Sequence, residues 1–375
     1  REAAQASRYS FKHALIRDAA YGIMVRERRR AVHARIAQTL ESHFPEVVAG
    51  HPEVLAWHCT EAELVPKAAE YWLRAGHNAL RRSAMHEALI HLRRGIAVLP
   101  QNDTAPWRVQ RELDLTIALG KAQIATQGYA IASTGETFAK AQALCAQLGN
   151  PPQLLAVLHG LWTHALLRAE FPSAQKQADG LLQRGRESGD RMWLLMGNRF
   201  SGVTHHPRGE FVEASRLLEE GLELYDPAQQ ATYWAMTVDD PRVIMLTYLS
   251  WSQMCLGRNA KAPRISERAV DEATQMKHAY TLAHALNGAA FVALTIGSPQ
   301  AALRRLDELR ALLVDNGIAY YEAVETIFRG YCLAAMGQYA PAMGLLESGM
   351  DAYRATGSRL YLSGFLRMSA EAHGW

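Results

Sequence analysis

Two histidines in the run His86-Glu87-Ala88-Leu89-Ile90-His91 come close to a catalytic metal motif. In the zinc-protease pattern, two histidines four residues apart share one face of a helix, so both imidazoles reach a single ion. Here the spacing is five residues, which turns the second imidazole away from the first. A zinc site is therefore not expected at these residues.

Other patterns that would indicate catalysis are incomplete. Gly120-Lys121 lacks the earlier glycine and the following hydroxyl residue of a loop that cradles nucleotide phosphates. His205-His206 precedes a proline and would need further ligands to hold a metal, so we interpret it as a surface pair. No nucleophile-elbow motif frames the serines. We expect no enzyme activity, no catalytic or metal-binding residue and no cofactor in this chain.

Binding by aromatic and arginine side chains is the chemistry that remains. Such side chains anchor many peptides and small ligands. Candidates for a ligand or partner groove are Arg199, Tyr248, Trp251, Tyr320, Tyr321, Glu325 and Arg329. Trp162 is a further aromatic of this kind, but we expect it to pack in the core. These residues need a scaffold that repeats along the chain.

Small residues recur at nearly fixed spacing and predict that scaffold. One series has steps of 44, 42, 40, 48, 40 and 40 residues: Ala88, Ala132, Ala174, Ala214, Ala262, Ala302 and Ala342. Twelve positions earlier stand Gly76, Gly120, Trp162, Gly202, Ser250, Ala290 and Gly330. Seven positions later stand Gly95, Ala139, Leu181, Gly221, Ala269, Leu309 and Gly349. Small side chains let two antiparallel helices approach closely, so each unit reads as a helix pair.

The spacing matches a tetratricopeptide (TPR) pattern stretched beyond its usual length of about 34 residues. We predict an all-α, TPR-like α-solenoid, a right-handed superhelix of about seven helix pairs. The first helices of successive pairs line the concave groove of such an array, and the candidate binding residues fall on them.

One repeat step is eight residues longer than its neighbours. The excess lies around Asp226-Pro227 and residues 238–241, between Ala214 and Ala262. We expect a loop or an extended first helix to project there. It is either a binding loop, as solenoids often carry, or a tolerated surface insertion.

The N-terminal part differs from the repeats. Residues 9–16 alternate as a short strand does, and residues 18–40 have helical periodicity. Pro45 and Gly50-His51-Pro52 break that helix, a second runs to about Glu61, and Pro66 fits the first turn of the next. We assign residues 1–50 to the end of a winged-helix-like segment with a linker helix, and residues 51–375 to the repeats.

Composition and charge limit the partners and the cellular compartment that we expect. Charge is nearly balanced, with Lys+Arg 40 against Asp+Glu 37, which gives no overall attraction to nucleic acid or membranes. The basic runs at residues 26–30, 81–82 and 93–94 have acidic neighbours and read as solvated helix faces. Four widely spaced cysteines without a CxxC motif indicate reduced thiols and a cytoplasmic protein. The chain begins at Arg1 and ends inside an unfinished helix pair, so we expect a piece of a longer protein.

Two segments resemble known signalling proteins. Residues 11–21 (FKHALIRDAAY), with Arg28-Arg29-Arg30 and residues 33–37, resemble the junction after the ATPase module of bacterial STAND-type proteins, where a winged-helix-like segment leads into repeats. Residues 55–62 and 68–76 resemble the entry into those TPRs. Residues 218–229 and 240–257 are similar to the middle of the TPR region in fusions of a class III adenylate/guanylate cyclase, an ATPase and TPRs.

The resemblance implies a non-catalytic TPR sensor or protein-interaction module that regulates an upstream ATPase and nucleotide cyclase in cAMP signalling. ATP would bind only in those upstream domains of the same polypeptide, and a protein, peptide or small ligand would bind in the groove. Neither a membrane nor nucleic acid is an expected partner. The alternative is the TPR arm of an ATP-dependent LuxR-type transcription regulator, which shares the N-terminal junction; a distant third is an enzyme that uses the groove. Residues 232–239 depart from the family's more aromatic, glycine-containing stretch, so no contact is carried over to them.

Overall fold

The structure is a computed structural model that describes residues 21–374, apart from Ser83 and Asn102. In this described part we number nineteen α-helices, and no strand occurs among these residues. The predicted strand at residues 9–16 lies outside them. The helices are α1 (Arg26–His43), α2 (Pro45–Gly50), α3 (Pro52–Glu61), α4 (Val65–Arg81), α5 (Met85–Ala97), α6 (Pro106–Gln127), α7 (Ala132–Gln147), α8 (Leu154–Leu167), α9 (Phe171–Ser188), α10 (Arg191–His205), α11 (Phe211–Leu224), α12 (Gln230–Met236), α13 (Pro241–Cys255), α14 (Lys261–Met276), α15 (Ala279–Thr295), α16 (Pro299–Asn316), α17 (Ala319–Ala335), α18 (Tyr339–Ala355) and α19 (Leu362–Gly374).

The chain divides into two compact units, one ending at Ala122 and the other beginning at Gln123, a boundary inside α6. None of the helices among the described residues combines the length and apolarity that a membrane crossing requires.

The first unit begins with helices whose bounds follow the proline signals. α3 begins at Pro52 and α4 carries Pro66 in its first turn, as predicted, because the first turn of a helix leaves its N–H groups without intrahelical partners and so tolerates proline. Trp72 of α4 is buried and donates its indole N–H to Thr60 Oγ1 of α3 at 2.9 Å. Arg26 and Arg30 form ion pairs with Glu63, so this basic run has an acidic partner.

The predicted helix pairs are present, and most of the small residues lie where two helices cross. The alanines Ala88, Ala174, Ala214, Ala262, Ala302 and Ala342 are all 0% exposed. A Cβ placed on Gly76 would lie 2.4 Å from a Leu92 methyl carbon, and one on Gly330 would lie 3.1 Å from the Ala342 carbonyl oxygen. Larger residues would force these helices apart.

The predicted register is wrong in one pair, α6–α7. Ala132 and Ala139 are exposed, whereas Thr134 and Ala141 are fully buried, as is Ala122 twelve positions before Thr134. Ala132 is the first residue of α7 and precedes the buried face of that helix. The connection is therefore two residues longer than the alanine pattern suggested, and the steps become 46 and 40 residues.

Replacing Gly202 with alanine is expected to lower the free energy of unfolding by about 1–3 kcal/mol, because overpacking displaces close neighbours. The new Cβ would lie 2.7 Å from Leu218 Cγ and 3.2 Å from the Ala214 carbonyl oxygen. Gly180 of α9 has nothing within 4 Å of the same position. Replacing Gly180 with alanine is expected to raise the free energy of unfolding by about 0.5–1 kcal/mol, since glycine loses more conformational entropy than alanine when a helix forms. Urea unfolding followed by tryptophan fluorescence measures both; shifts of the same sign would contradict the packing argument.

The eight-residue insertion does not end in a projecting loop, contrary to prediction. A turn at Pro227–Gln229 leads into α12, and the residues that follow are buried: Thr237, Asp239 and Asp240 are 4%, 7% and 0% exposed. Asp240 caps α13, accepting from the backbone N–H groups of Arg242 and Val243 at 2.9 and 3.3 Å. The insertion therefore delivers two carboxylates into the second unit.

Candidate binding site

Arg199 lies at the centre of the site, in the middle of α10. It is 1% exposed and the largest of the fully buried side chains in the described part of the chain. Its Nη2 donates to Asp239 Oδ1 at 2.7 Å, while Nε and Nη1 have no hydrogen-bond partner. The guanidinium carbon lies 5.9 Å from the ring centroid of Trp162. The insertion thus supplies the counter-ion of a buried arginine and satisfies only one of its three nitrogens.

The Arg199–Asp239 pair is charged at neutral pH. Burial alone would raise the pKa of Asp239. The Arg199 guanidinium opposes this, with smaller contributions from His159 and His284, and holds the pKa of Asp239 below its usual value. A carboxylate with a lowered pKa remains ionised under physiological conditions, so the site contains one positive and one negative charge.

Tyrosines from four helices and two connections form a cluster with this pair. Burial raises the pKa of all of them, so their hydroxyls are neutral and can donate: Tyr129, Tyr248, Tyr280, Tyr320, Tyr321, Tyr353 and Tyr361. The hydroxyl of Tyr129 has no partner, and that of Tyr361 interacts with the Tyr248 hydroxyl. Tyr280 and Tyr320 keep some exposed surface although burial still raises their pKa strongly. We call these tyrosines, with Arg199 and Asp239, the tyrosine site.

Two buried histidines adjoin the tyrosine site and are neutral. His284 Nδ1 lies 2.8 Å from the Tyr321 hydroxyl, and its Nε2 has no partner. Burial lowers the pKa of His284 to about 4. His206 lies 3.0 Å from Ser252 Oγ, and burial likewise lowers its pKa to about 4. Since His206 is 6% exposed, interpreting His205-His206 as a surface pair was wrong for its second member.

The structure brings four of the predicted groove residues together. Arg199, Tyr248, Tyr320 and Tyr321 belong to the tyrosine site: the Tyr320 and Tyr321 ring centroids are 5.2 Å apart, and the His284 ring lies between Tyr248 and Tyr321 at 5.9 and 6.2 Å. The charge of Arg199 also acts on the Tyr248 hydroxyl.

The other predicted residues lie beside the site or away from it. Trp251 packs against Tyr248 with ring centroids 4.7 Å apart, and its indole N–H donates to the Gly288 carbonyl. Glu325 is buried and accepts from Arg310 at 3.0 Å and from Arg329 at 2.6 Å. Arg329 also donates to Asp307, which completes an ion-pair network between α16 and α17. Trp162 stacks on Phe200 at 4.1 Å, consistent with the packing role expected for it.

Several members of the site escaped the sequence analysis. Asp239 was not among the candidates, because residues 232–239 depart from the resembled family and no contact was carried over to them. The sequence signal that could have identified Asp239 was the extra length before α13 combined with two consecutive carboxylates, Asp239 and Asp240, in front of a helix. Tyr129, His284 and Tyr361 had no sequence signal, since they stand in different repeats and meet only in the folded unit.

A backbone contact joins two distant parts of the second unit. The carbonyl oxygen of Leu167, at the end of α8, accepts from Arg359 N at 2.7 Å, Leu360 N at 3.1 Å and Ser358 Oγ at 3.2 Å. These donors lie between α18 and α19, about 190 residues further along the chain. We call this contact the clasp. It joins the first complete helix pair of the second unit to its last.

Comparison with known proteins identifies the fold. No protein-family profile matches the chain. An uncharacterized protein of Rhizobium meliloti (strain 1021) is 22% identical over 373 residues, an alignment that covers 98% of this chain but 36% of the relative. The chain thus spans about a third of the curated relative it matches.

Solved structures share the arrangement of helices. A Rap protein complexed with Competence and Sporulation Factor has a TM-score of 0.53 and 12% identity, covering 82% of this chain and 86% of that one. The apo form of RapI has a TM-score of 0.50 and 13% identity, covering 82% and 97%. A STAND protein with a tetratricopeptide repeat sensor from Pyrococcus horikoshii has a TM-score of 0.43 and 13% identity, covering 94% and 50%.

The chain is an all-α, TPR-like solenoid. The paired helices with small residues at their crossings and the similarity to the two Rap-type structures establish this fold. A TPR-like array offers an interior surface made by the first helices of its pairs. Five members of the tyrosine site lie on such helices, α10, α13, α15 and α17, whereas Tyr353 lies on α18 and the others lie in connections.

Proposed function

We propose that this chain is a non-catalytic sensor module that binds a peptide, protein segment or small ligand in the tyrosine site. Binding there regulates other domains of a longer cytoplasmic signalling protein, with an ATPase and a class III nucleotide cyclase upstream of the repeats. The observation that carries the proposal is the buried Arg199, two of whose nitrogens have no partner although polar groups surround it.

The energetics favour an occupant for this site. A buried donor without an acceptor costs about 1–3 kcal/mol, and more when it is charged. Arg199, Tyr129 and His284 all carry such atoms. A partner that supplies acceptors offsets those costs, so the occupied state gains stability that the empty state lacks.

The clasp provides a means of signalling. A ligand shifts an equilibrium only by its difference in affinity for two states. With the clasp closed the tyrosine site is enclosed, and with the clasp open the helix pairs are free to change their curvature. A ligand that binds the closed form more tightly favours that curvature, and this coupling is what an attached domain would sense.

The upstream domains rest on the resemblance of residues 218–229 and 240–257 to cyclase–ATPase–TPR fusions. The Rhizobium meliloti relative extends well beyond the region it shares with this chain, which is consistent with further domains. Under this proposal ATP binds in those domains and not in the repeats. Cys59, Cys145 and Cys332 are buried free thiols, which suits the reducing cytoplasm.

The proposal is tested on the full-length protein encoded by the complete gene. ATP hydrolysis and cyclic nucleotide formation are measured for the wild type, Arg199→Gln, and a control, Arg305→Gln, which removes a surface ion pair of α16. We expect Arg199→Gln alone to change the regulated rate. A parent protein without an ATPase or cyclase domain, or ATP turnover by the purified 375-residue chain, contradicts the proposal; a helix-turn-helix in the parent instead identifies the LuxR-type alternative.

A further inference from the structure

We infer that the ligand of the tyrosine site carries a carboxylate, which binds the nitrogens of Arg199 that Asp239 leaves unused. This inference rests on the proposed function, because it names the chemistry of the ligand for that same site. It follows from the unmet hydrogen bonds of the site, its charge and its aromatic walls.

The unmet hydrogen-bonding capacity is mostly that of donors. Arg199 Nε and Nη1 can only donate, and the Tyr129 hydroxyl can donate one hydrogen bond. His284 Nε2 donates in one tautomer. Against these, Asn287 Oδ1 is an unpaired buried acceptor on α15. A ligand that fits this set must bring acceptor oxygens, and a carboxylate brings two oxygens with about four lone-pair positions.

These groups act on one another and so belong to one site. The charges of Asp239 and Arg199 both act on the Tyr129 hydroxyl and on the His284 ring. The hydroxyl of Tyr361 interacts with Tyr248, which in turn is influenced by Arg199. Ring contacts connect Tyr129 to Arg199: the Tyr129 ring lies 6.3 Å from the His159 ring, which lies 6.0 Å from the Trp162 ring, and the Arg199 guanidinium carbon lies 5.9 Å from that of Trp162.

The charge of the site disfavours a multiply charged anion. Arg199 is the cation that acts on these tyrosines and histidines, and Asp239 already neutralises part of it. A phosphate carries about two negative charges and is usually bound by several cations. A ligand cation would meet a carboxylate already engaged by Arg199. A single carboxylate pairs with the guanidinium, and neutral phenols complete its hydrogen bonds.

The second buried arginine network of this unit shows the contrast. Both oxygens of Glu325 are bonded, to Arg310 and Arg329, and Arg329 is also bonded to Asp307. There the chain supplies its own acidic partners for Arg329. Arg199, although more deeply buried, has a single acidic partner within the chain.

The walls of the site indicate what the carboxylate is attached to. The rings of Tyr248, Tyr280 and Tyr320 pack close to His284 and Tyr321, and such aromatic surfaces favour apolar or aromatic groups over chains of hydroxyls. Two sources offer a carboxylate on such a body: a free aromatic or aliphatic acid, and the C-terminus of a peptide that ends in an apolar residue.

The test compares acids with their amides, which have the same shape without the charge. The probes are 3-phenylpropionate with 3-phenylpropionamide, and the peptide Gly-Gly-Phe with its C-terminal amide, each at millimolar concentration. The Tm of the purified 375-residue chain is measured by differential scanning fluorimetry, and Kd by calorimetry. We expect at least one acid to raise Tm and its amide to have no effect, and the pair that responds identifies the source as a free acid or a peptide terminus.

Two variants decide whether Arg199 is responsible. Arg199→Gln is expected to weaken binding of the acid by about tenfold or more, since charged hydrogen bonds contribute more than neutral ones. Asp239→Asn is expected to tighten it, because the competing carboxylate is gone. The opposite directions keep the test decisive if Arg199→Gln fails to fold, as judged by circular dichroism: Asp239→Asn then decides, and unchanged or weaker binding overturns the inference.

Failure of this inference is distinguishable from failure of the proposed function. Equal Tm shifts with acid and amide show that the site binds ligands without requiring a carboxylate. This result overturns the inference but does not contradict the sensor role. Absence of any shift with either acid also overturns the carboxylate assignment. The sensor role is judged separately by the enzyme rates of the full-length Arg199→Gln variant.

Discussion

Replacing Asp239 with alanine is expected to lower the free energy of unfolding of the second unit by about 3–5 kcal/mol, because it leaves a buried guanidinium without its counter-ion. Arg199 is 1% exposed and its bond to Asp239 is its sole hydrogen bond within the described residues. Urea unfolding followed by tryptophan fluorescence measures the loss, since Trp162 lies beside the guanidinium.

Two controls separate the buried charge from a general loss of contacts. The double variant Arg199→Met/Asp239→Ala removes both charges and is expected to be more stable than Asp239→Ala alone. Glu219→Ala removes an exposed ion pair with Lys261, for which we expect a change of about 0–1 kcal/mol. A loss for Asp239→Ala no larger than that of Glu219→Ala would show that Arg199 is not buried as described.

Lowering the pH from 7 to 5 is expected to reduce the free energy of unfolding by about 4 kcal/mol, about 2 kcal/mol from each of two buried histidines. Burial lowers the folded pKa of His206 and of His284 to about 4, from an ordinary value of about 6.5. As the pH falls through 6.5, the unfolded chain takes up protons that the folded chain does not. The stabilisation is therefore complete above pH 6.5 and declines progressively down to about pH 4.

The histidines responsible are identified by substitution. His284→Gln retains a polar side chain and is expected to remove about 2 kcal/mol of the loss between pH 7 and 5, since one titrating group is gone. Burial also lowers the pKa of His33, His58, His77, His91 and His278, so these add to the loss in the same direction. Urea midpoints at pH 5, 6 and 7 give the slope for each protein; equal slopes in wild type and variant would rule His284 out.

The helix pairs followed from the sequence because their determinants are local. Gly76, Gly202 and Gly330 stand a fixed twelve residues before a buried alanine, and the side chains between them satisfy a helical period. The register failed at Thr134 because Ala132 is small too, and a sequence pattern does not distinguish a small residue at a crossing from one at a helix end. Only the burial of Ala141 and Ala122 reveals the two-residue shift.

The members of the tyrosine site that lie on the first helices of the pairs could be predicted from the sequence. Tyr248, Tyr320 and Tyr321 were found because their positions in the repeat place them inward. Glu325 stands one turn beyond Tyr321 on the same helix, yet there it meets Arg310 of α16 instead of the interior. The inward path of the insertion depends on Arg199, forty residues earlier, whose buried charge requires Asp239. Such a requirement arises from tertiary structure and leaves no periodic trace.

The clasp changes how such an array should fold. In an open repeat array each unit contacts only its neighbours, stability adds up unit by unit, and the ends fray first. Here the Leu167 carbonyl holds three donors from residues 358–360, so fraying of the last pair also disrupts the first. Contacts across about 190 residues form only after the intervening helices are ordered, which raises the contact order and slows folding. The second unit therefore behaves as one cooperative body, and loss of its final helices destabilises α8 at the other end of the sequence.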